Sequence, residues 1–376
     1  MCNGINTITI KTLHGSIEFK NQRFRDREGR EVSGYVESAG EGLKHHCTRG
    51  LEELACRYAR DTSYGKAVEV IKDVSGQEQL SSQTIHKLVA DRAQQVSEEV
   101  GREARLQLSR EKMPEVNPKV DLYAAEAKEV KLEIDAILVK EQKAIRDCKP
   151  KEKKSFVSTS VALLEKEDGS YAYLMGGVDD AAQNQVGLLE TVQGRIIEEY
   201  GTSVKALNIV AINDGARDIR TLLFDIFGMT ISIILDWYHL KKKVNEYMSM
   251  FGLPRSDKEA HIKDVLHCLW RGEVDNAMNT IKQIEVVDTR KKWKEELSAY
   301  LEKHRLEIIN YEKRKGIGKS IGSGRMENGV KQTVGQRQKH KGMSWSKAGS
   351  KSLGILKVVQ LNNKWDKLFF PERQVA

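Results

Sequence analysis

The chain has 376 residues, 62 of them Lys or Arg and 54 Asp or Glu, for a net charge of +8 and a pI near 9.0. That length allows two or three domains at roughly 100 to 200 residues each. No apolar run reaches the about 18 residues of a bilayer-spanning helix, and "MCNGINTITIKTLHG" lacks the order of a signal peptide, so a cytoplasmic protein without a membrane partner is expected.

Residues 5–37 alternate loosely between apolar and polar and contain the turn signal "DREGRE", which predicts a small β-hairpin. From about 48 to 113 the period is helical. "SYGKAVEVIKDV" starts at a Ser63 cap and stops before Ser75-Gly76, and "LSSQTIHKLVADRAQQV" follows with its own Ser caps and apolar Ile85, Leu88 and Val89. Two helices around a Gly-containing turn fit a helix-turn-helix whose second helix enters the major groove, and they equally fit a helical hairpin without DNA contacts. A charge-rich helix from Glu98 to Lys112 then meets "KMPEVNPKV", whose prolines mark the main boundary, so residues 1–118 form an N-terminal region. Cys2, Cys47, Cys56, Cys148 and Cys268 are scattered without a CxxC pair, which excludes a disulfide framework and a tetrahedral zinc site.

Past that boundary the pattern is that of an α/β domain. "VKLEIDAILV", "SFVSTSVALLEK" and "SYAYLMGG" read as three strands and "GLLETVQGRIIEEYG" as a helix. The strand "ALNIVAI", the helix "GARDIRTLLFDIFG", the strand "ISIILD" and a helix from "WYHLKKKVNEYM" follow. The order β-β-β-α-β-α-β-α predicts an antiparallel ribbon extended by parallel crossovers, as in ribonuclease H-like folds. The expected division is a core over 119–252, a helical insertion over 253–316 and completion of the core over 317–376.

Side chains that do chemistry in an open α/β sheet gather at the carboxyl ends of strands. Asp135, within the first of these strands, and Asp214, directly after "ALNIVAI", are such candidates, although a lone Asp there also serves as a turn or capping residue. The third candidate, Glu327, is the only carboxylate between Lys313 and Lys347, in "IGSGRMENGVKQTVGQRQKHKG", behind a Ser323 cap. Three acids among cations suit Mg²⁺ or Mn²⁺ held by hard oxygen ligands, with nucleic acid as the polyanion. Two such ions about 3.5 to 4 Å apart activate a hydroxyl and stabilise the leaving oxygen in attack on phosphorus. A helix acid paired with Arg325 or Lys331 is the plainer reading of Glu327. Arg325, Lys331, Arg337, Lys339, Lys341 and Trp345 are expected to contact DNA.

"IDAILVKEQK", "NDGA", "DWYHLKKKV" and "IGSGRMENGVKQTVGQRQKHKGMSWSKAGSKSLGILKV" with its trailing "NNKW" resemble, in order and spacing, the Kra-type group of bacterial insertion-sequence transposases. The resemblance covers about 120–366 and implies a DDE transposase with a ribonuclease H-like core, cleaving element ends and transferring strands to target DNA. It implies Asp135, Asp214 and Glu327 as the metal-binding catalytic triad. Asp236 and His239 would support the site, with Asp236 competing with Asp214 for the second ligand. Synapsis of two ends implies a homo-oligomer on DNA. The cysteine pair frequent near the N-terminus of such proteins is absent from "FKNQRFRDREGRE", and Ala136 stands where many have a further acid. A regulator that binds DNA with weakened turnover, and a ribonuclease H-like nuclease without strand transfer, are the competing functions.

Overall fold

The computed structural model describes residues 2–32, 43–143, 155–179, 182, 184–201, 206–340 and 342–371. Strands β1 (Cys2–Thr12), β2 (Gly15–Arg25) and β3 (Glu31–Val32) form a three-stranded antiparallel sheet in place of the single predicted hairpin. The first reversal is a tight turn at Leu13-His14, closed where the Thr12 hydroxyl donates to the Gly15 carbonyl at 2.8 Å. "DREGRE" makes the second, with Asp26 Oδ1 accepting the Glu28 and Arg30 amides at 2.9 Å each.

Three helices follow: α1 (Arg49–Asp61), α2 (Tyr64–Ser75) and α3 (Ser82–Arg110). Ser63 and Ser81 cap the second and third by accepting the amides of Lys66 and Thr84, and Gly76 ends α2 at φ +71. The expected recognition helix and the charge-rich helix are one element of 29 residues, because no breaker separates them.

The chain then crosses into a mixed five-stranded sheet: β4 (Val130–Lys140), β5 (Phe156–Glu165), β6 (Tyr171–Leu174), β7 (Ile209–Asn213) and β8 (Ser232–Leu235). The order is β6-β5-β4-β7-β8, with β4, β5 and β6 antiparallel and β4, β7 and β8 parallel. The molecule is therefore mixed α/β. The crossover helices α4 (Leu188–Tyr200) and α5 (Arg217–Phe227) cover one face, where Leu132, Ile134, Ile209 and Ala211 are buried. On the other face β7 and β8 carry α6 (Trp237–Met250) and the helices α7 (Arg255–Trp270), α8 (Val274–Gln283), α9 (Lys291–Lys303) and α10 (Tyr311–Gly316).

On that same second face, β4 and β5 pack against α11 (Gly324–Val330), which runs through a π-turn at Lys331–Gly335 to Gln338, and against α12 (Lys347–Leu361). A short last helix, α13 (Trp365–Phe369), returns to α1. One hydrophobic core joins Leu51, Ile71, Leu88 and Val96 to Ile137, Val161, Met326, Val334, Leu356 and Phe369. The break at 112–120 is thus a break in regular structure, whereas the core runs continuously across it. Trp365 donates its indole N–H to Glu53 at 2.7 Å and lies under the Arg60 guanidinium, 4.4 Å from the ring centroid. No described helix is long and apolar enough to cross a membrane.

Candidate active site

Register places the acids. Glu133 pairs with Ile212 and Ile212 with Ile234 across three parallel strands, so two residues further on Asp135, midway along β4, comes level with Asp214 and Asp236 at the carboxyl ends of β7 and β8. Side chains two apart along a strand share a face, and this is the face over which α11 lies. Asp135 is half-buried and its Oδ1 accepts its neighbour's amide, from Ala136, at 2.7 Å. Burial pushes its carboxyl above the usual range, the charges of Asp214 and Glu327 push the same way, and His239 opposes them.

Asp214 keeps part of the turn role open to it: Oδ1 accepts the Ala216 amide at 2.8 Å while Asn213 Oδ1 accepts the Gly215 amide at 2.8 Å. Gly215 takes φ +82, and a Cβ there would lie 2.9 Å from the His304 ring. Asp236 is fully engaged. Its Oδ1 accepts the Tyr238 and His239 amides at 2.6 and 3.0 Å, and its Oδ2 accepts the amide and hydroxyl of Ser323 at 2.5 Å each. Burial would raise its carboxyl, but the donors from His239 and Ser323 hold it far below the usual range. The free oxygen for a ligand is therefore on Asp214, and Asp236 orients the chain around it. His239, half-exposed, has Nδ1 3.7 Å from Asp236 Oδ1, too long for a hydrogen bond, so the attraction between them is Coulombic.

Glu327 stands in the first turn of α11 with its side chain exposed. Among the described residues it pairs with neither Arg325 nor Lys331, and the Arg325 guanidinium lies instead over the Tyr171 ring, 4.2 Å from the centroid. Ser323 occupies the N-cap position but donates its hydroxyl to Asp236 and makes no side-chain cap. The cap comes from Glu133, 2% exposed, which accepts the Met326 amide at 2.9 Å. Burial pushes the Glu133 carboxyl up to about 7. Sequence reasoning passed over Glu133, although an acid two positions before Asp135 in an apolar strand was the available signal. It also passed over His304, which is buried against Gly215 with Nδ1 2.6 Å from Glu307 Oε2. The insertion thus lies directly behind the Asp214 turn.

Residues 3–368 match the pattern of UPF0236, an uncharacterised protein family. The chain belongs to that family. No curated protein and no solved structure matches it.

The described residues expected to contact DNA in this UPF0236 chain divide into two groups. Arg325, Lys331 and Lys339 are exposed beside α11. Arg337 and Trp345 are not available to DNA: Arg337 is 6% exposed, donates Nε–H to the Ala59 carbonyl at 3.1 Å and stacks over Trp345 at 4.8 Å. Trp345 is 8% exposed, donates its indole N–H to Gln338 and bridges to the end of β4. These two were expected on the surface because an Arg and a Trp in a basic stretch look alike whether they face solvent or core. Lys341 lies outside the described residues.

The donors of this UPF0236 site are hard carboxylate oxygens, the type that Mg²⁺ and Mn²⁺ select. Among the described residues no three His, Cys, Asp or Glu side chains form a closed metal-binding group.

Proposed function

We propose that this UPF0236 protein is a metal-dependent DNA transposase that cleaves at the ends of its own element and joins the exposed 3′-hydroxyl to a target phosphodiester. The observation that carries the reading is the alignment of Asp135 and Asp214 on adjacent parallel strands, with Glu327 on the helix packed over the same face and its neighbour Met326 bonded to Glu133. The strand order β6-β5-β4-β7-β8, an antiparallel ribbon extended by two parallel strands, supports a ribonuclease H-like core.

Asp135, Asp214 and Glu327 would hold Mg²⁺ or Mn²⁺, which supplies activation of the attacking oxygen and neutralisation of charge on the leaving one. Asp236 fixes the start of α6 and the loop before α11 together, so the strand ends and the third acid keep their spacing. His239 lies beside Asp236, and Asp236, Asp214 and Asp135 all favour its protonated form. Arg325, Lys331 and Lys339 line the exposed side, where backbone phosphates would lie. A site of this kind acts on two DNA ends, so a homo-oligomer on DNA in the cytoplasm is part of the proposal.

The test is cleavage and joining of a labelled element end by wild type and Glu327→Gln, beside a binding assay on both proteins. Loss of cleavage with DNA binding kept is the expected result. Full activity of the variant overturns the assignment. A second reading, a DNA-binding regulator with weakened turnover, is favoured by Ala136, which stands where many of the similar transposases have a further acid, and wild type that binds the end without cutting it would select that reading. Cutting without joining would leave a ribonuclease H-like nuclease.

A further inference from the structure

We infer that Glu133 is a positioning residue that sets the distance between the Asp135 strand and the turn carrying Glu327. This inference rests on the triad reading above. The first amides of any helix lack partners within it and must be satisfied from outside. In α11 the residue at the N-cap, Ser323, has given its hydroxyl to Asp236, so the helix does not cap itself. The Met326 amide is taken instead by Glu133 Oε2 at 2.9 Å, across 193 positions of sequence.

Three features make this more than an ordinary cap. Glu133 is 2% exposed, and a buried carboxylate is costly unless its bonding repays it. No ion pair to Glu133 occurs among the described residues, so the Met326 amide is its direct partner. Finally, the bond joins the residue two before Asp135, on the same strand face, to the residue immediately before Glu327. Any movement of α11 relative to β4 must break it. Asp236 makes the matching tie from the end of β8 through Ser323, so the turn of Glu327 is held at two points by two buried carboxylates. Partners that orient metal-binding side chains are worth roughly 10- to 100-fold in metal affinity when removed.

The test measures Mn²⁺ binding, read from the paramagnetic signal of free ion, on the full chain with duplex DNA present. Glu133→Ala removes the acceptor, and binding is expected to weaken at least about tenfold. Glu133→Gln keeps an acceptor oxygen at the same reach, and binding is expected to return to within about threefold of wild type by the same orienting logic. Glu133→Asp keeps a carboxyl group but withdraws its oxygens from the Met326 amide, and is expected to behave as the Ala variant does; it also serves should the Ala variant fail to fold. Wild-type binding by Asp, or by a folded Ala variant, overturns the inference. Binding by Gln as weak as by Ala or Asp also overturns it, because Glu133 would then be a ligand. Equal Mn²⁺ binding by wild type and Glu327→Gln, or none by either, defeats the triad reading itself and the inference with it.

Discussion

At the scale of the residue, His239 reports on the whole site. Asp236 beside it, and Asp214 and Asp135 across the strand ends, all favour its protonated form, against a smaller effect of burial. Its titration midpoint by NMR is therefore expected above the ordinary 6.5, and to fall toward it in Asp214→Asn and in Asp135→Asn. An unmoved midpoint in both variants would place the acids apart. Because the folded form holds the proton more tightly, the stability His239 adds is complete below about pH 6.5 and is lost as pH rises through its folded value. Asp236 has the opposite sign. Its carboxyl lies below the ordinary range when folded, so its contribution is present above the ordinary 3.8 and disappears as pH falls through the folded value. Acid unfolding of Asp236→Asn should accordingly depend less steeply on pH than that of wild type over the acid range.

At the scale of the element, the basic segment that follows Glu327 holds two kinds of cation, and substitution separates them. Lys339 is exposed, so Lys339→Ala should leave the melting temperature nearly unchanged and reduce the slope of log DNA affinity against log salt by about 0.9, the share of a single neutralised phosphate. Arg337 is bonded to the Ala59 carbonyl and stacked on Trp345, so Arg337→Ala should cost about 1 to 3 kcal/mol in denaturant unfolding. Equal effects of the two variants on stability would contradict this division. The Asp214 turn offers a second check. Gly215→Ala puts a Cβ against His304 at a backbone angle that disfavours side chains, for an expected cost of about 1 to 3 kcal/mol and a displaced Asp214. A Gly215→Ala protein with unchanged melting and Mn²⁺ binding would mean that the insertion does not brace this turn.

At the scale of the molecule, the N-terminal helices and the last two helices share one core with β4 and β5. Arg92 pairs with Glu52 at 2.8 Å and stacks over Phe369 at 4.9 Å, while Trp365 closes on Glu53 and Arg60. Removing the Trp365 ring should cost about 3 to 5 kcal/mol and should destabilise α1 and α3 together with the sheet. The measurement is unfolding of Trp365→Ala followed by far-ultraviolet dichroism and by hydrogen exchange of α1. A loss confined to the last helix, with α1 protected as in wild type, would make residues 1–118 an independent unit.

Local chemistry was enough to read most of the elements, the third N-terminal strand and the unbroken length of α3 being the exceptions. The capping serines Ser63 and Ser81, the alternation of β4, the short apolar runs of β7 and β8 and the period of α4 through α6 each depend on near neighbours in the chain. The candidates Asp135 and Asp214 were legible for the same reason, since an acid inside an apolar strand and one directly after such a strand are both local features. What needed tertiary structure is every feature set by a distant partner. Ser323 looks like a cap until Asp236 takes its hydroxyl, and Glu133 looks like a surface acid until the Met326 amide reaches it. Arg337 and Trp345 look like DNA ligands until α1 and the end of β4 enclose them. Burial and hydrogen-bond partnership depend on which segments pack together, and residues as far apart as 133 and 326 carry no local mark of their meeting.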